Sequence, residues 1–414
     1  VLLASLYFTQ FLPFAFFITA LPVIMRREGY SLEQIGYLYA LGIPYALKFL
    51  WAPYIDRGAG KANHYKKIVF LLTSLYVLFT LAASTFLPGE NMPLLFVLLF
   101  TGLFFLSTQD IAVDAIATRI LKSHERGVGN GLQAAGAFVG YFVGGGVMLM
   151  NYDRMGWQNT IYIMSALLVL SLIPLFFYHE PVLPVKSRAS FKTIYTFFQR
   201  KKIIAPFLLA IFTGLPLQMA YHKFRPFMTD AGFSSEKIGF YIGLVGMASA
   251  IVFSLVTGYL IKIFGIRKSL MGVLFLTLSA FPFLIFPTLG YQTSAFLWTA
   301  VLFGGGFSGS VHAVCYSFYM DHARPGSEGS DFTLQNAAAF LVGSLFMPIS
   351  GALADQAGYT LLYTVAMFAQ VLLIFAGSLY FWRLRVNVPL AQTLKKSDIQ
   401  TTEAEVNSRR AEIT

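Results

Sequence analysis

"STQDIAVDAIATR", residues 107–119, decides how the rest of the chain is read. It ends an apolar run that begins near Met92 and is built mainly from Leu, Phe, Val, Ile and Ala, yet it holds two carboxylates, Asp110 and Asp114, one helical turn apart. The run exceeds the roughly 20 residues that cross a hydrocarbon core. A charge at the centre of a bilayer costs at least about 2.5–3.5 kcal/mol on insertion scales, so such residues face a bundle interior or a watery cavity and mark a functional path.

Composition extends this reading to the whole chain. Of 414 residues, 57% are hydrophobic and only 12% charged, where a soluble domain carries about a quarter charged residues. The apolar runs have helix length rather than barrel-strand length, so the fold class is all-α integral membrane. The net charge of +11 belongs to basic loops of a membrane protein and not to a nucleic-acid partner. Cys315 is the single cysteine and lies in an apolar run, which excludes disulfides. The first span can direct insertion without a cleaved signal. Because the chain opens at Val1 instead of Met, a short preceding tail is expected.

Twelve spans are predicted: 2–25, 31–53, 67–87, 92–118, 127–150, 158–178, 203–228, 234–262, 267–287, 293–321, 328–353 and 358–382. Breaks such as "DRGAGKANHYKK", "LPGENMP" and "HARPGSEG" carry Gly, Pro or charge. With the N-terminus inside, the cytoplasmic loops collect Arg57, Lys61, Lys66, Lys67, Arg119, Lys122, Arg126, Lys186, Arg188, Lys192, Arg200, Lys201, Lys202, Lys262, Arg267, Lys268, Arg324 and the basic residues after Trp382. The outer loops hold Arg26, Arg27, Arg154, Lys223, Arg225 and Lys237. This bias places both termini in the cytoplasm.

The halves repeat. "GYSLEQIGY" (29–37) matches "GFSSEKIGF" (232–240), and "LQAAGAF" (132–138) matches "LQNAAAF" (334–340). The predicted organisation is a six-helix bundle over 1–178, a cytoplasmic linker over 179–202 with an interfacial "SFKTIYTFFQRKK" stretch, a second six-helix bundle over 203–382, and a disordered cytoplasmic tail over 383–414. Two parallel six-span repeats with a basic central loop resemble the major facilitator superfamily. "APYIDRGAGK" (52–61) and "GYLIKIFGIRK" (258–268) resemble that superfamily's G-x-x-x-D-R-x-G-R-K loop, the second with Lys262 where the motif has Asp. The resemblance implies a gating role for Asp56 and Arg57, with Arg119 at the cytoplasmic exit.

Within the superfamily, "SLEQIGYLYALGIPYALKFLWAPYIDR" (31–57), "STQDIAVDA" (107–115) and "ERGVGNGLQAAG" (125–136) resemble the AmpG-type permeases, which take up cell-wall muropeptides. The Asp motif continues as Asp114-Ala115-Ile116-Ala117, without the D-A-Y-R usual in that group. "GNGLQAAGAFVGYFVGGG" (129–146) looks closer to the sister RhtX/FptX-type siderophore permeases. The resemblance thus implies import of a siderophore, ferric or free, across a bacterial inner membrane, with protons as the coupled partner and the chain acting as a monomer. Muropeptide import, or import of another bulky anionic metabolite, is the alternative.

The superfamily resemblance also implies that the first, fourth, seventh and tenth spans line a central cavity. The fourth offers Asp110 and Asp114 on one face with Gln109 beside it. These carboxylates either bind the coupling proton or are paired with basic groups that hold helices together. The seventh offers Gln218, Tyr221, His222 and Arg225 at i, i+3, i+4 and i+7, with Arg225 and Lys223 near enough to the outer end to snorkel instead. The tenth offers Ser308, His312, Tyr316 and Tyr319; the repeat register makes His312 the counterpart of Asp110 and Tyr316 that of Asp114. His312 is a candidate proton relay or a hydrogen-bonded structural group. The first span adds Tyr7, Gln10 and Phe11, and the fifth Tyr141, as packing groups or as faces for a bulky ligand. Lys48, one turn from the end of its span, reads as a snorkelling residue. The Gly-rich runs 140–146 and 303–310 lack the Lys-Ser/Thr of a phosphate loop, and no H-E-x-x-H, G-x-S-x-G or Cys/His cluster occurs. No cofactor, direct metal ligand or enzymatic activity is expected.

Overall fold

The computed structural model describes residues 1–27, 37–87, 92–122, 124–182, 191–200, 203–233 and 235–411, with side chains for most of these as far as Arg383. The first copy of the repeat (29–37), linker residues 183–190, the Lys201–Lys202 pair and the side chains of the tail lie wholly or largely outside the described residues.

Among the described residues, nine helices are long and apolar enough to cross a bilayer: Leu2–Met25, His64–Ala83, Met92–Ile120, Arg126–Phe177, Ile204–Asp230, Gly239–Phe264, Ile266–Thr288, Ser294–His322 and Glu328–Arg383. Two of them, of 52 and 56 residues, would be far too long for one crossing at about 1.5 Å per residue. Each breaks at a glycine, Gly156 (φ 71°) in the first and Gly358 (φ 81°) in the second. That conformation is open to glycine because it has no Cβ, and it turns each long element into two rods.

The stretch predicted as a span over 31–53 is described from Tyr37 as short pieces: Tyr37–Gly42, Ile43–Leu47, Lys48–Leu50 and Ala52–Asp56. Pro44 and Pro53 stand in the first turns of the second and fourth pieces. Proline is harmless there but denies the preceding turn its next hydrogen bond. The result is a jointed segment with Lys48 at one joint.

The apolar cores show how the halves meet. One core belongs to the first half, around Leu12, Phe16, Leu99, Trp157 and Met164. Another belongs to the second half, around Phe224, Phe281, Leu297, Phe307 and Tyr363. A third draws on both, joining Leu6, Tyr7, Tyr65, Val113 and Ile116 to Val314, Tyr316, Phe318 and Phe332. The halves therefore share packing at the end that carries residues 59–65, 117–121 and 318–332, while each is packed on itself at the other end. Leu71, Leu78, Phe176, Leu372 and Phe375 are exposed around the rim, as lipid-facing residues are.

Close helix approach depends on missing side chains. A Cβ on Gly136 would lie 2.2 Å from the Ala4 carbonyl oxygen, so the first helix and the 126–141 rod touch backbone to backbone. Gly136→Ala is expected to destabilise by about 1–3 kcal/mol through overpacking, seen as a lower unfolding midpoint in detergent. Gly272→Ala, where a Cβ meets nothing within 4 Å, is the control and should be neutral or slightly stabilising.

Candidate functional site: a central cavity above a charged latch

Between the halves lies a cavity of about 350 Å³, at the low end of small-molecule pockets. Gln10, Phe11, Tyr45, Lys48, Asp110, Phe138 and Tyr141 line it from the first half, and Gln218, His222, Ser308, His312, Tyr316, Tyr319 and Asn336 from the second.

Its floor is ionic. Lys48 Nζ donates to Asp110 Oδ2 in a buried ion pair and lies 3.7 Å from Asp114 Oδ2. Asp114 Oδ1 accepts from the Tyr7 hydroxyl at 2.5 Å. The snorkelling reading of Lys48 is thereby corrected: the residue is 2% exposed. Two desolvated carboxylates on one helix face hold the ammonium more strongly than the distant interface can. Formally the group is one positive charge short. Nearby, Trp51 Nε1 donates to Thr108 Oγ1 at 3.1 Å, tying the jointed segment to the same helix.

The wall is aromatic and neutral. Ring centroids run from Tyr45 to Phe14 (5.0 Å), from Phe11 to Tyr141 (5.2 Å) and from His312 to Tyr316 (4.0 Å), with Tyr316 6.0 Å from Tyr7.

Most of the residues expected from sequence meet here, but not all. Gln10, Phe11, Asp110, Tyr141, Gln218, His222, Ser308, His312, Tyr316 and Tyr319 line the cavity. Asp114 and Tyr7 are buried beside the floor. Gln109 stands behind the wall, accepting from Gln10 Nε2 at 3.4 Å and donating to Thr73 at 3.3 Å. Tyr221 packs elsewhere: a Cβ on Gly304 would come within 2.3 Å of its ring. Arg225 is exposed and away from the lining. Of this stripe only Gln218 and His222 line the cavity: Tyr221 at i+3 falls on the other side of Gln218 from His222 at i+4, and Arg225, close to Gln218 in angle, lies about two turns further along the helix. Tyr45, Phe138 and Asn336 were missed, since nothing in their local sequence separates them from packing residues.

Below the floor, a latch joins the halves. Asp56 Oδ2 accepts from Ser330 N at 2.7 Å and from its hydroxyl at 2.5 Å, and Asp56 Oδ1 accepts from the Tyr65 hydroxyl at 2.6 Å. Arg119 donates to Ala59 O (2.7 Å), to Glu180 (3.3 Å) and, across the halves, to Glu328 (3.3 Å). Its guanidinium lies 4.7 Å from the Tyr65 ring centre. Arg126 pairs with Asp321. Asp56 and Arg119 are thus brought together, while Arg57 lies outside, exposed and 4.1 Å over the Tyr54 ring. Glu180, Glu328 and Ser330 complete the latch and had no distinguishing motif. Burial raises the Asp56 carboxyl from the usual 3.8 to about 6, against the opposing hydrogen bonds from Ser330 and Tyr65.

A helical membrane bundle in two packed halves, closed at one end beneath a cavity with an ionic floor and an aromatic wall, is the architecture of a secondary transporter. Residues 3–347 and 226–401 match the model of the Major Facilitator Superfamily, and the chain belongs to that superfamily. It is 27% identical over 381 residues to the anhydromuropeptide permease of Escherichia coli (strain K12), covering 89% of this chain and 77% of the permease. Among solved structures it resembles the human organic anion transporter MFSD10 (TETRAN), with a TM-score of 0.73, 14% identity and 91% and 98% of the two chains covered. It also resembles a bacterial homologue of the iron transporter ferroportin in the outward-facing state, with a TM-score of 0.67, 15% identity and 91% and 97% covered. These two likenesses concern the fold.

Two outcomes are expected from the site. Lys48→Met leaves two buried carboxylates without a counter-charge and should cost about 3–5 kcal/mol. Adding Asp110→Asn and Asp114→Asn should recover most of that, as read from unfolding midpoints. The latch should respond to pH. Asp56 holds its proton more tightly when latched than when hydrated, so the ionised carboxylate costs the latched state stability above about pH 6. Lowering the pH from about 6 toward the usual 3.8 therefore favours the latched form, by at most about 3 kcal/mol. Distance measurements between labels on the two halves at the latch end should show the shift, and Asp56→Asn should reduce it to the part carried by the buried Asp331 and by Glu180, whose carboxyl burial also raises.

Proposed function

We propose that this transporter imports a muropeptide-type ligand, a sugar joined to a short peptide, across a bacterial inner membrane by proton-coupled alternating access. The observation that carries the reading is the similarity to the E. coli anhydromuropeptide permease, which extends over 89% of this chain. The siderophore reading drawn from the 129–146 stretch gains no support from these relatives, and the alternative set beside it is the better backed.

On this reading the chain crosses the membrane twelve times: the nine long helices, two of them doubled at Gly156 and Gly358, and the jointed segment ending near Asp56. The two six-span halves are the repeats. The lysine and arginine excess supports a cytoplasmic location for both termini and the latch end, and on this reading the cavity is closed toward the cytoplasm. A single chain contains the whole cavity and acts as a monomer. The proton enters the Lys48–Asp110–Asp114 group because one ammonium cannot neutralise two desolvated carboxylates. The same charge balance allows the bundle to reopen only after proton and ligand are both bound. Asp56, Arg57 and Arg119 belong to the closing machinery.

Uptake into proteoliposomes tests the proposal. Labelled anhydromuropeptide should accumulate under an outside-acid gradient and collapse with a protonophore, while a ferric siderophore should not accumulate. Asp110→Asn should bind ligand but lose concentrative uptake. Selective siderophore uptake, or accumulation indifferent to the gradient, would overturn it.

A further inference from the structure

Among the described residues, three buried polar atoms on side chains that line the cavity have no hydrogen-bond partner: Gln10 Oε1, Tyr45 Oη and His312 Nε2. All three residues line the same space. Leaving such atoms unpaired is costly, and three of them on side chains that line one cavity mark a place where a bound molecule can supply the partners. The groups are fixed. Gln10 is 2% exposed and its amide nitrogen is committed to Gln109. Tyr45 is braced edge-on by Phe14. His312 sits among Tyr316 at 4.0 Å, Phe138 at 6.0 Å and Phe11 at 6.4 Å. Among the described residues, no carboxylate lies within ion-pair distance of His312, whereas Lys48 holds both cavity carboxylates.

We propose that His312, Gln10 and Tyr45 form a neutral recognition subsite, separate from the ionic floor, that hydrogen-bonds an uncharged ring bearing hydroxyl and amide groups. The flanking aromatic rings cover the ring's C–H face. Such a surface suits a saccharide: hydroxyls and acetamido groups point outward to donors and acceptors, and the carbon face packs on aromatic rings. It gives His312 a positioning role toward ligand and not a place in the proton path. The carboxylate-bearing peptide of the ligand would lie outside this subsite. The inference rests on the proposed muropeptide reading and adds which residues read which part of the ligand.

The experiment uses purified full-length transporter in proteoliposomes, with labelled anhydromuropeptide and two competitors, its peptide-free disaccharide and its free peptide. In the wild type the disaccharide should compete. In His312→Phe and in Tyr45→Phe its competition should weaken at least tenfold and the KM for the intact ligand should rise to match, with kcat and the pH profile unchanged. His312→Gln, which keeps a hydrogen-bonding group but cannot carry the proton, should stay within threefold of wild type. Should His312→Phe fail to fold, Tyr45→Phe, the loss of one oxygen, carries the test alone. A disaccharide that does not compete in the wild type, or competes unchanged in the variants, overturns the subsite while leaving muropeptide import standing. A displaced pH profile with unchanged KM in His312→Gln overturns it in favour of a proton relay. Wild-type protein that does not take up anhydromuropeptide overturns the import reading and the subsite with it.

Discussion

The arrangement depends on one interaction, the clasp of Lys48 by Asp110 and Asp114. Burying any of these alone would cost several kcal/mol, and burying both carboxylates without the lysine would add their mutual repulsion. Together they are tolerable, and the clasp fixes three things at once. It pulls the jointed 37–56 segment onto the Met92–Ile120 helix. It brings Tyr7 of the first helix to the same point. It also leaves one uncancelled negative charge beside the cavity. A hydrophobic replacement could do the first two through packing. Only the charged version leaves a site whose occupancy by a proton changes the local energy, which is why a transporter would retain a device that a structural protein could dispense with.

Latch and clasp are mechanically close. The segment that carries Lys48 ends at Asp56, and the helix that carries Asp110 and Asp114 ends just past Arg119. Both elements therefore hold a cavity group at one end and an inter-half contact at the other. Two short routes connect Lys48 and its carboxylates to the latch, one through two turns of jointed backbone to Asp56 and one along a single helix to Arg119. The shared core around Tyr65, Ile116, Phe318 and Phe332 makes the closed arrangement a packed state with its own stability, not a loose average, and packed interfaces switch between arrangements instead of deforming gradually.

Much of this was legible in the sequence for a simple reason: bilayers punish polar residues, so each one that survives in an apolar run is informative. That logic found Asp110, Asp114, Gln10, Gln218, His222, His312 and Tyr316. It failed where position along a span substituted for packing. Distance from the span end assigns Lys48 to the interface, but Pro44 and Pro53 stand where that stretch divides into pieces, so counting residues does not measure depth. The sequence places Arg119 at the cytoplasmic exit but does not name its partners, because Glu180 and Glu328 lie far away in sequence and are brought to it only by tertiary packing. Tyr221 shows the reverse error: a polar tip at helical spacing that belongs to a glycine-lined helix contact.

The division between an ionic floor and a neutral wall also constrains how a ligand can be coupled on the proposed reading. A saccharide held by Gln10, Tyr45 and His312 brings no charge to the clasp, so it cannot itself neutralise the surplus on Asp110 and Asp114. Binding to the wall and protonation of the floor are then separate events, linked only through the conformations each one favours. Energetic linkage of that kind is reciprocal: if the proton strengthens ligand binding by favouring one packed state, the ligand strengthens proton binding by the same factor. A cationic ligand docking directly on the carboxylates would instead displace the proton, and uptake would be exchange. The neutral wall therefore favours symport over exchange, because it recognises the ligand by groups that do not compete for the charge the proton is needed to cancel.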